Sequence, residues 1–360
     1  MNETKFDLAL YMQPIWQGRT VHHESIMLLE DPDGHIPDVP LLYRADDIYR
    51  VRSADLQTDY IPDIDFRLVD GRLFVPPLST LPRTRYDSYY LKEKIEGHCF
   101  PLNPAVGRGR GRGSGYIAFG EGATFHQKQL AVTYTHHDTF PGEIPSYQGS
   151  LLPRTIARLQ QPDSLHVLVY GDSIATGANA SGRSKAAPFM PGWFDLLVET
   201  LRTTYNHPSI QLTNTSVGGT ASRWGADQAQ ARAARHKPDL AIIGFGMNDG
   251  SGRVRPEDYL VNIQLIMDRI RAAQPECEFI LIATMLPNIE VSTFWGVQKD
   301  YRPGLLAMQG NGVAVADMTA MHGALLQRKR YYDMTGNNVN HPNDFLARVY
   351  AQVLAAMLIP

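Results

Sequence analysis

The sequence predicts an α/β protein: a doubly wound parallel sheet with helices on both faces, preceded by a β sandwich of the jelly-roll kind. After about residue 150, short apolar segments alternate with helical patterns, and this alternation is typical of a parallel sheet. Before that point, short strand candidates are separated by clusters of Pro, Gly and Asp, without a long helical period. The chain has 360 residues, more than one core usually accommodates. We therefore expect an N-terminal β-sandwich domain at 1–150 and a second domain at 151–360.

Five short segments of the N-terminal part are strand candidates, because they are rich in apolar and β-branched residues. They are residues 8–12, 25–29, 66–69, 72–75 and 130–135. Turn-forming sequences such as Asp31–Gly34 and Val69–Arg72 separate them. The glycine–arginine segment Gly107–Gly115 is short and internal, so we expect a mobile hairpin loop there rather than an RNA-binding tail.

The second part follows a turn-rich linker at 139–154. Its predicted strands are 167–170, 211–214, 240–243, 279–283 and 313–316. Its predicted helices pass through 193–198, 226–235, 256–272 and 343–358. Strands joined by helical crossovers form a parallel sheet, and the helices then cover both of its faces.

Polar or glycine-containing blocks follow the first three of these strands, and a fourth block lies near the C-terminus. Ser173 comes after Gly171-Asp172, Gly219 ends the block that starts at Asn214, Asn248 lies in Gly-Met-Asn-Asp, and His341 precedes Pro342. The carboxyl ends of parallel strands share one rim of the sheet, where open α/β folds bind ligands. We therefore expect Ser173, Gly219 and Asn248 on one rim, with His341 reaching it from the loop before the last helix.

These four blocks, in this order, resemble the SGNH (GDSL-type) hydrolase family over about residues 160–360. The resemblance implies that Ser173 is a nucleophile and His341 its base. It also implies an oxyanion hole made by the backbone N–H groups of Ser173 and Gly219 and the side-chain amide of Asn248. The residue types suit this chemistry, since acyl transfer needs a nucleophile, a base that titrates near neutrality, and donors for the developing negative charge. The expected reaction is ester hydrolysis through an acyl-enzyme.

In this family a third catalytic residue usually orients the His, and at its position this sequence departs from the family pattern. The family usually has Asp three residues before the His, and that position holds Asn338 here. An amide can accept from the imidazole N–H but cannot stabilise an imidazolium as a carboxylate does. Some members of the family work with a Ser–His dyad in which a backbone carbonyl holds the His. The resemblance therefore implies such a dyad here, with Asn338 as the tentative side-chain partner of His341. Asp333 and Asp344 are weaker alternatives.

Among relatives, a β sandwich ahead of such a domain resembles carbohydrate esterases that remove acetyl groups. The resemblance implies an acetylated oligo- or polysaccharide as substrate. Two alternatives stay open: a lipase- or thioesterase-like acyl hydrolase, and a non-catalytic carbohydrate-binding protein. Trp224 follows the Gly219 block and is a candidate sugar platform, although it could equally pack beneath the following helix.

Other kinds of site are less well supported. The segment 177–184 approaches a phosphate-binding loop, but Arg183 stands where that motif has Lys, and the segment starts beyond the strand end. An α/β-hydrolase elbow would need Gly in place of Ala175. Adjacent histidines, as in His22-His23 and His136-His137, point to opposite faces of a strand. We expect neither a metal nor another cofactor.

The composition is that of an ordinary globular protein, with 43% hydrophobic and 20% charged residues. The net charge of −3 gives no indication of nucleic acid or an anionic membrane surface as a partner. No apolar run approaches the roughly 20 residues that span a bilayer. The N-terminal residues do not resemble a signal peptide. We therefore expect a cytoplasmic protein.

Overall fold

The computed structural model describes residues 6–107, 115–161 and 164–360, so most of the predicted loop Gly107–Gly115 lies outside the described residues. Within them, the β-strands are β1 (Thr20–Leu29), β2 (Ala45–Ser53), β3 (Arg67–Val69), β4 (Arg72–Phe74), β5 (Arg83–Thr84), β6 (Tyr90–Leu91), β7 (Cys99–Pro101), β8 (Tyr116–Ala118), β9 (Gln129–His136), β10 (His166–Gly171), β11 (Gln211–Asn214), β12 (Leu240–Gly244), β13 (Glu278–Ala283) and β14 (Val313–Asp317). The α-helices are α1 (Leu8–Tyr11), α2 (Tyr86–Tyr89), α3 (Pro104–Gly107), α4 (Pro153–Gln160), α5 (Trp193–Thr204), α6 (Ser222–Arg232), α7 (Met247–Ser251), α8 (Pro256–Ala273), α9 (Arg302–Ala307), α10 (Met318–Leu326) and α11 (Asp344–Leu358).

The C-terminal part contains a parallel sheet in the order β11-β10-β12-β13-β14. The prediction of five parallel strands is confirmed, and each strand agrees with its expected bounds to within one residue at either end. Strand β10 lies between β11 and β12, so the chain reverses its direction of winding there. Such a switch point is where open α/β sheets place their ligands.

Side chains of the parallel strands alternate between the two faces of the sheet. Val167 and Val169 join a hydrophobic cluster with α5 and α11, whereas Leu168 and Tyr170 join a second cluster with α6 and α8. This alternation follows from the two-residue period of a β-strand. Helices therefore cover both faces, as predicted.

The described residues of the N-terminal part form three sheets. A four-stranded sheet has the order β2-β9-β1-β5, β6-β8-β7 form a three-stranded sheet, and β3 and β4 form a hairpin. The two-residue loop of that hairpin, Asp70-Gly71, has positive φ angles of 50° and 74°, as a type I′ turn requires. The pairings are antiparallel except that between β1 and β5. An N-terminal sheet region is thus present, while its jelly-roll connectivity stays a prediction.

The prediction of a strand at residues 8–12 is wrong. This segment forms α1, because the side chain of Asp7 accepts a hydrogen bond from the N–H of Leu10 at 3.1 Å and caps the helix. An apolar run this short cannot be assigned to helix or strand by its pattern alone.

The N-terminal and C-terminal parts share one hydrophobic core. A single cluster contains Ile26 and Val132 of the four-stranded sheet together with Leu346 and Tyr350 of α11. Helix α11 is buried almost all round, as expected for a helix packed between two sheets. Lys329 and Glu24 form a fully buried ion pair across the same junction, with Nζ 2.5 Å from Oε1. The domain division at residue 150 stays a prediction.

No helix among the described residues is long and apolar enough to cross a membrane.

Candidate active site

Ser173 lies in the turn that follows β10. Gly171 makes this turn possible, since a Cβ at that position would come within 2.2 Å of the carbonyl oxygen of Gly244 on the adjacent strand. The N–H of Asp172 then donates to the same carbonyl at 3.1 Å, and the Asp172 carboxylate accepts from the N–H of Ile174 at 3.0 Å. These contacts fix Ser173 at the rim of the sheet, with 8% of its surface exposed.

His341 approaches Ser173 from the loop before α11. Its Nε2 lies 2.8 Å from Oγ of Ser173. The loop is folded around one amide, because Oδ1 of Asn337 accepts the backbone N–H groups of Val339, Asn340 and His341, each at 3.0 Å. The structure therefore brings the predicted hydroxyl and imidazole into direct contact, although they lie 168 positions apart in the chain.

The other ring nitrogen of His341 contacts the side chain of Asn179, which the sequence did not indicate, so the expected backbone carbonyl partner is wrong. Nδ1 lies 2.7 Å from Oδ1 of Asn179. The Asn179 amide nitrogen donates to the carbonyl oxygens of Gly122, at 3.1 Å, and Gly336, at 3.2 Å. These two bonds orient the Asn179 oxygen towards the ring, so Nδ1 carries the proton and Nε2 is left to accept the proton of Ser173.

A carboxylate from the N-terminal part also lies beside His341. Oε2 of Glu121 is 3.4 Å from Nδ1 of His341, and Oε1 of Glu121 accepts from the side chain of Asn337 at 3.1 Å. Partial burial acts to raise the pKa of Glu121, but hydrogen bonds and the charge of His341 outweigh it and hold this pKa below its usual range. No local pattern in the sequence indicates this contact, because Glu121 precedes all four motif blocks.

Asn338, the tentative partner of His341, lies elsewhere, and that prediction is wrong. Asn338 is fully buried and adopts a φ of +70°. Its side chain accepts from the Tyr89 hydroxyl at 2.9 Å and donates to the Ala118 carbonyl at 2.9 Å. The left-handed turn directs the amide into the N-terminal part, away from the ring. Asn338 therefore joins the two parts of the chain instead of orienting the imidazole.

The two weaker alternatives for a triad carboxylate also have other roles. Asp333 accepts the backbone N–H groups of Met27 at 2.8 Å and Arg330 at 2.9 Å. Asp344 accepts the N–H of Ser181 at 2.7 Å, and Asn343 provides the cap of α11. Because the backbone N–H of Ser181 already donates to Asp344, it is not available to bind a phosphate, as a phosphate-binding loop at 177–184 would require.

The expected oxyanion donors gather next to Ser173. A Cβ on Gly218 would lie 3.6 Å from that of Ser173, and Gly219 follows with a φ of +77° and no other atom within 4 Å of where its Cβ would lie. Within the described residues, the backbone N–H groups of Ser173 and Gly219 donate to no protein acceptor. Asn248, in α7, donates one amide hydrogen to the Thr220 carbonyl at 2.8 Å, which holds the amide against the Gly219 block and leaves its second hydrogen available.

Two buried carboxylates lie beneath the site. Burial raises the pKa of Asp172 to about 7, while the hydrogen bond from Ile174 and the charge of His341 act in the opposite direction. Burial also raises the pKa of Asp249, whose carboxylate accepts the N–H of Ser222 at 3.0 Å and so joins α7 to α6. Both groups support the backbone that carries the site.

Trp224 is half-buried and packs against the hydrophobic cluster of α6 and α8. Its ring lies 6.4 Å from that of Tyr170, and the Arg232 guanidinium lies 5.2 Å over it. Among the residues that the structure describes, no group of three or more His, Cys, Asp or Glu side chains is arranged to hold a metal ion.

The structure is thus an α/β protein with a hydroxyl–imidazole pair at the switch point of its parallel sheet, an arrangement that suits nucleophilic catalysis. Residues 169–348 match the sequence profile of the GDSL-like Lipase/Acylhydrolase family. The chain belongs to this family, the SGNH/GDSL hydrolases. A comparison with curated proteins gave no match.

Solved structures with a similar fold include several esterases. A two-domain esterase active on acetylated mannans is 18% identical with a TM-score of 0.46, over 59% of this chain and 53% of that one. A carbohydrate esterase family 3 protein from Talaromyces cellulolyticus is 17% identical with a TM-score of 0.42, over 53% and 94% of the two chains. A catalytic mutant of an acetylxylan esterase from Geobacillus stearothermophilus is 15% identical with a TM-score of 0.43, over 56% and 97%. The chain spans about half the length of the two-domain esterase.

Proposed function

We propose that this protein hydrolyses carboxylic esters through an acyl-enzyme formed on Ser173. The observation that carries the proposal is the 2.8 Å contact between Oγ of Ser173 and Nε2 of His341 at the switch point of the sheet. A serine hydroxyl needs an adjacent base to act as a nucleophile at neutral pH, and an imidazole with a free Nε2 is such a base.

The reaction has two halves. Oγ of Ser173 attacks the ester carbonyl while its proton moves to Nε2 of His341. The resulting oxyanion accepts the N–H groups of Ser173 and Gly219 and the free amide hydrogen of Asn248. The imidazolium returns its proton to the leaving alcohol. The same imidazole then deprotonates a water molecule that attacks the acyl-enzyme, and the imidazolium gives this proton to Oγ of Ser173 as the acid leaves.

We further propose that the substrate is an acetylated oligo- or polysaccharide. This rests on the order of the two parts, a sheet-rich N-terminal part ahead of the hydrolase fold, which resembles that of carbohydrate esterases.

The experiment is a substrate panel with paired variants. Acetylated xylan, acetylated mannan and sugar peracetates are compared with nitrophenyl esters of increasing acyl length. We expect acetate release, and we expect Ser173→Ala to lower kcat by at least about 1,000-fold. Ser164→Ala, an exposed serine just before β10, is the matched control and should retain full activity.

The outcomes separate the candidate functions. Faster turnover of long-chain than of acetyl esters would replace the acetylated carbohydrate by a lipase- or thioesterase-like substrate. Retained turnover in Ser173→Ala would overturn the assignment of the nucleophile. Glycan binding without turnover of any ester, in the wild type and in Ser164→Ala, would identify a non-catalytic carbohydrate-binding protein.

A further inference from the structure

We propose that Glu121 supplies the negative charge that stabilises the imidazolium of His341 during turnover, so that the N-terminal part completes the active site. Glu121 acts through His341 and is therefore a positioning residue rather than a catalytic one. This inference rests on the proposed esterase function and adds to it the missing carboxylate.

The first argument is the geometry around Nδ1 of His341. Oδ1 of Asn179 lies at 2.7 Å and Oε2 of Glu121 at 3.4 Å from this one nitrogen. The amide makes the direct hydrogen bond and sets the ring orientation. It has no charge to offer when the ring becomes a cation, whereas the carboxylate does. The two roles that one Asp usually combines are thus divided between two side chains.

The second argument is that Asn179 cannot readily be a carboxylate itself. Its amide nitrogen donates to the carbonyl oxygens of Gly122 and Gly336, at 3.1 and 3.2 Å. A carboxylate in its place would direct an oxygen at these two carbonyls and would leave both without a donor. The position in direct contact with the ring therefore suits an amide, and the charge has to come from a neighbour.

The third argument is that Glu121 is held in place, although 54% of its side chain is exposed. Its Oε1 accepts from the side chain of Asn337 at 3.1 Å, and Oδ1 of Asn337 accepts the backbone N–H of His341. The Glu121 carbonyl accepts from the Thr124 hydroxyl at 2.9 Å. One amide thus links the carboxylate to the loop that carries the imidazole.

The fourth argument is the charge state of the Glu121 carboxyl group. Glu121 lies beside Nδ1 of His341 and Asp172 precedes Ser173, and both carboxyl groups interact electrostatically with His341. The pKa of Glu121 lies below its usual range, because hydrogen bonds and the charge of His341 outweigh its partial burial. Burial raises the pKa of Asp172 to about 7. In neutral and mildly acidic solution, Glu121 is therefore the group that is reliably ionised.

The proton balance is that of the reaction already described. The Ser173 hydroxyl proton moves to Nε2, and the ring then carries protons on both nitrogens. Glu121 takes up no proton; its charge faces the cation until Nε2 gives the proton to the leaving alcohol.

The experiment compares Glu121→Gln with the wild type and with Glu121→Asp. We expect Glu121→Gln to lower kcat by about 10- to 100-fold with little change in KM, less than for a fully buried carboxylate because the side chain is partly solvated. Losing a negative charge beside the ring should also move the acidic limb of the kcat/KM profile to lower pH. Glu121→Asp keeps the charge and should retain more of the rate than Glu121→Gln. Glu143→Gln, an exposed residue of the N-terminal part, is the matched control.

The outcomes distinguish this inference from the proposed function. A Glu121→Gln variant with the wild-type kcat and pH profile would overturn the role of Glu121 while leaving the esterase proposal intact. Absence of ester turnover in the wild type would instead reject the esterase proposal. In that case the ring signals of His341, followed by NMR against pH in wild type and Glu121→Gln, still test the contact, and identical titration curves would overturn it.

Discussion

Oδ1 of Asn179 lies 2.7 Å from Nδ1 of His341, so an amide holds the imidazole that faces Ser173. Asn179 lies only six positions after Ser173, in a left-handed conformation with a φ of +64°. Asn adopts this conformation more readily than most residues. The serine turn therefore continues directly into the residue that orients the base.

Replacing Asn179 with Ala should lower kcat/KM by about 100-fold at neutral pH, because the ring loses the acceptor that fixes its tautomer and orientation. The change also leaves two carbonyls without their donor, so a moderate fall in Tm is expected. Steady-state kinetics and thermal unfolding measure the two effects. Asn206→Ala removes another asparagine of positive φ, on an exposed turn, and controls for backbone strain. Equal kinetics in Asn179→Ala and Asn206→Ala would contradict the orienting role.

Asn248→Ala should reduce kcat by about 100- to 1,000-fold, or roughly 3 to 4 kcal/mol of transition-state stabilisation, if its amide donates to the oxyanion. KM should change little, because the oxyanion exists only in the transition state and intermediate. The amide also donates to the Thr220 carbonyl, so unfolding curves are needed to confirm that the variant is folded. An effect confined to KM would assign Asn248 to ground-state binding instead.

The parts of the fold that were predictable have local signals. The strands of the parallel sheet are short, nearly continuous apolar runs, as expected when both faces are covered. The contact between Ser173 and His341 was predictable because each lies in a recognisable block and strand ends share a rim. Residues 8–12 carried no such signal, and the cap provided by Asp7 decided in favour of a helix.

The partners of His341 could not be predicted, because they depend on contacts between distant segments. The spacing of three residues selected Asn338, but its left-handed turn points the side chain at Tyr89. Asn179 is 162 positions from His341, and Glu121 comes from a different sheet region. Only the packing of the N-terminal part against the loop before α11 brings these side chains together.

Stability should fall as the pH rises from about 4 to about 7, in part because of Asp172. Burial raises the pKa of this carboxyl from 3.8 to about 7. Because its pKa is raised, the folded state prefers the protonated form of Asp172. The stabilisation that this preference provides is complete at pH values below the pKa of Asp172 in the unfolded chain. It is lost as the pH rises through the pKa of Asp172 in the folded protein. Each pKa unit corresponds to about 1.4 kcal/mol. Denaturant unfolding at pH 5 and pH 8 measures the difference in the free energy of unfolding between the two pH values. The Asp172→Asn variant should show a smaller difference than the wild type. An unchanged difference in the variant would assign the pH dependence to other groups.

Lys329→Met should destabilise the protein by about 3 to 5 kcal/mol, because it leaves a buried carboxylate without its counter-ion. Nζ of Lys329 contacts Glu24 at 2.5 Å and the Ser25 carbonyl at 2.9 Å, where neither charged side chain reaches solvent. Arg330→Met removes the adjacent exposed cation and should cost little.

Adding Glu24→Gln to Lys329→Met removes the unpaired charge, so the double variant should recover part of the lost stability. Lys329 and Glu24 lie on opposite sides of the predicted domain boundary, and one hydrophobic cluster spans it. We therefore expect a single cooperative unfolding transition, with the same midpoint by circular dichroism and by tryptophan fluorescence. Lys329→Met should lower this midpoint. Two separate transitions, with only one of them shifted, would show that the N-terminal and C-terminal parts unfold independently.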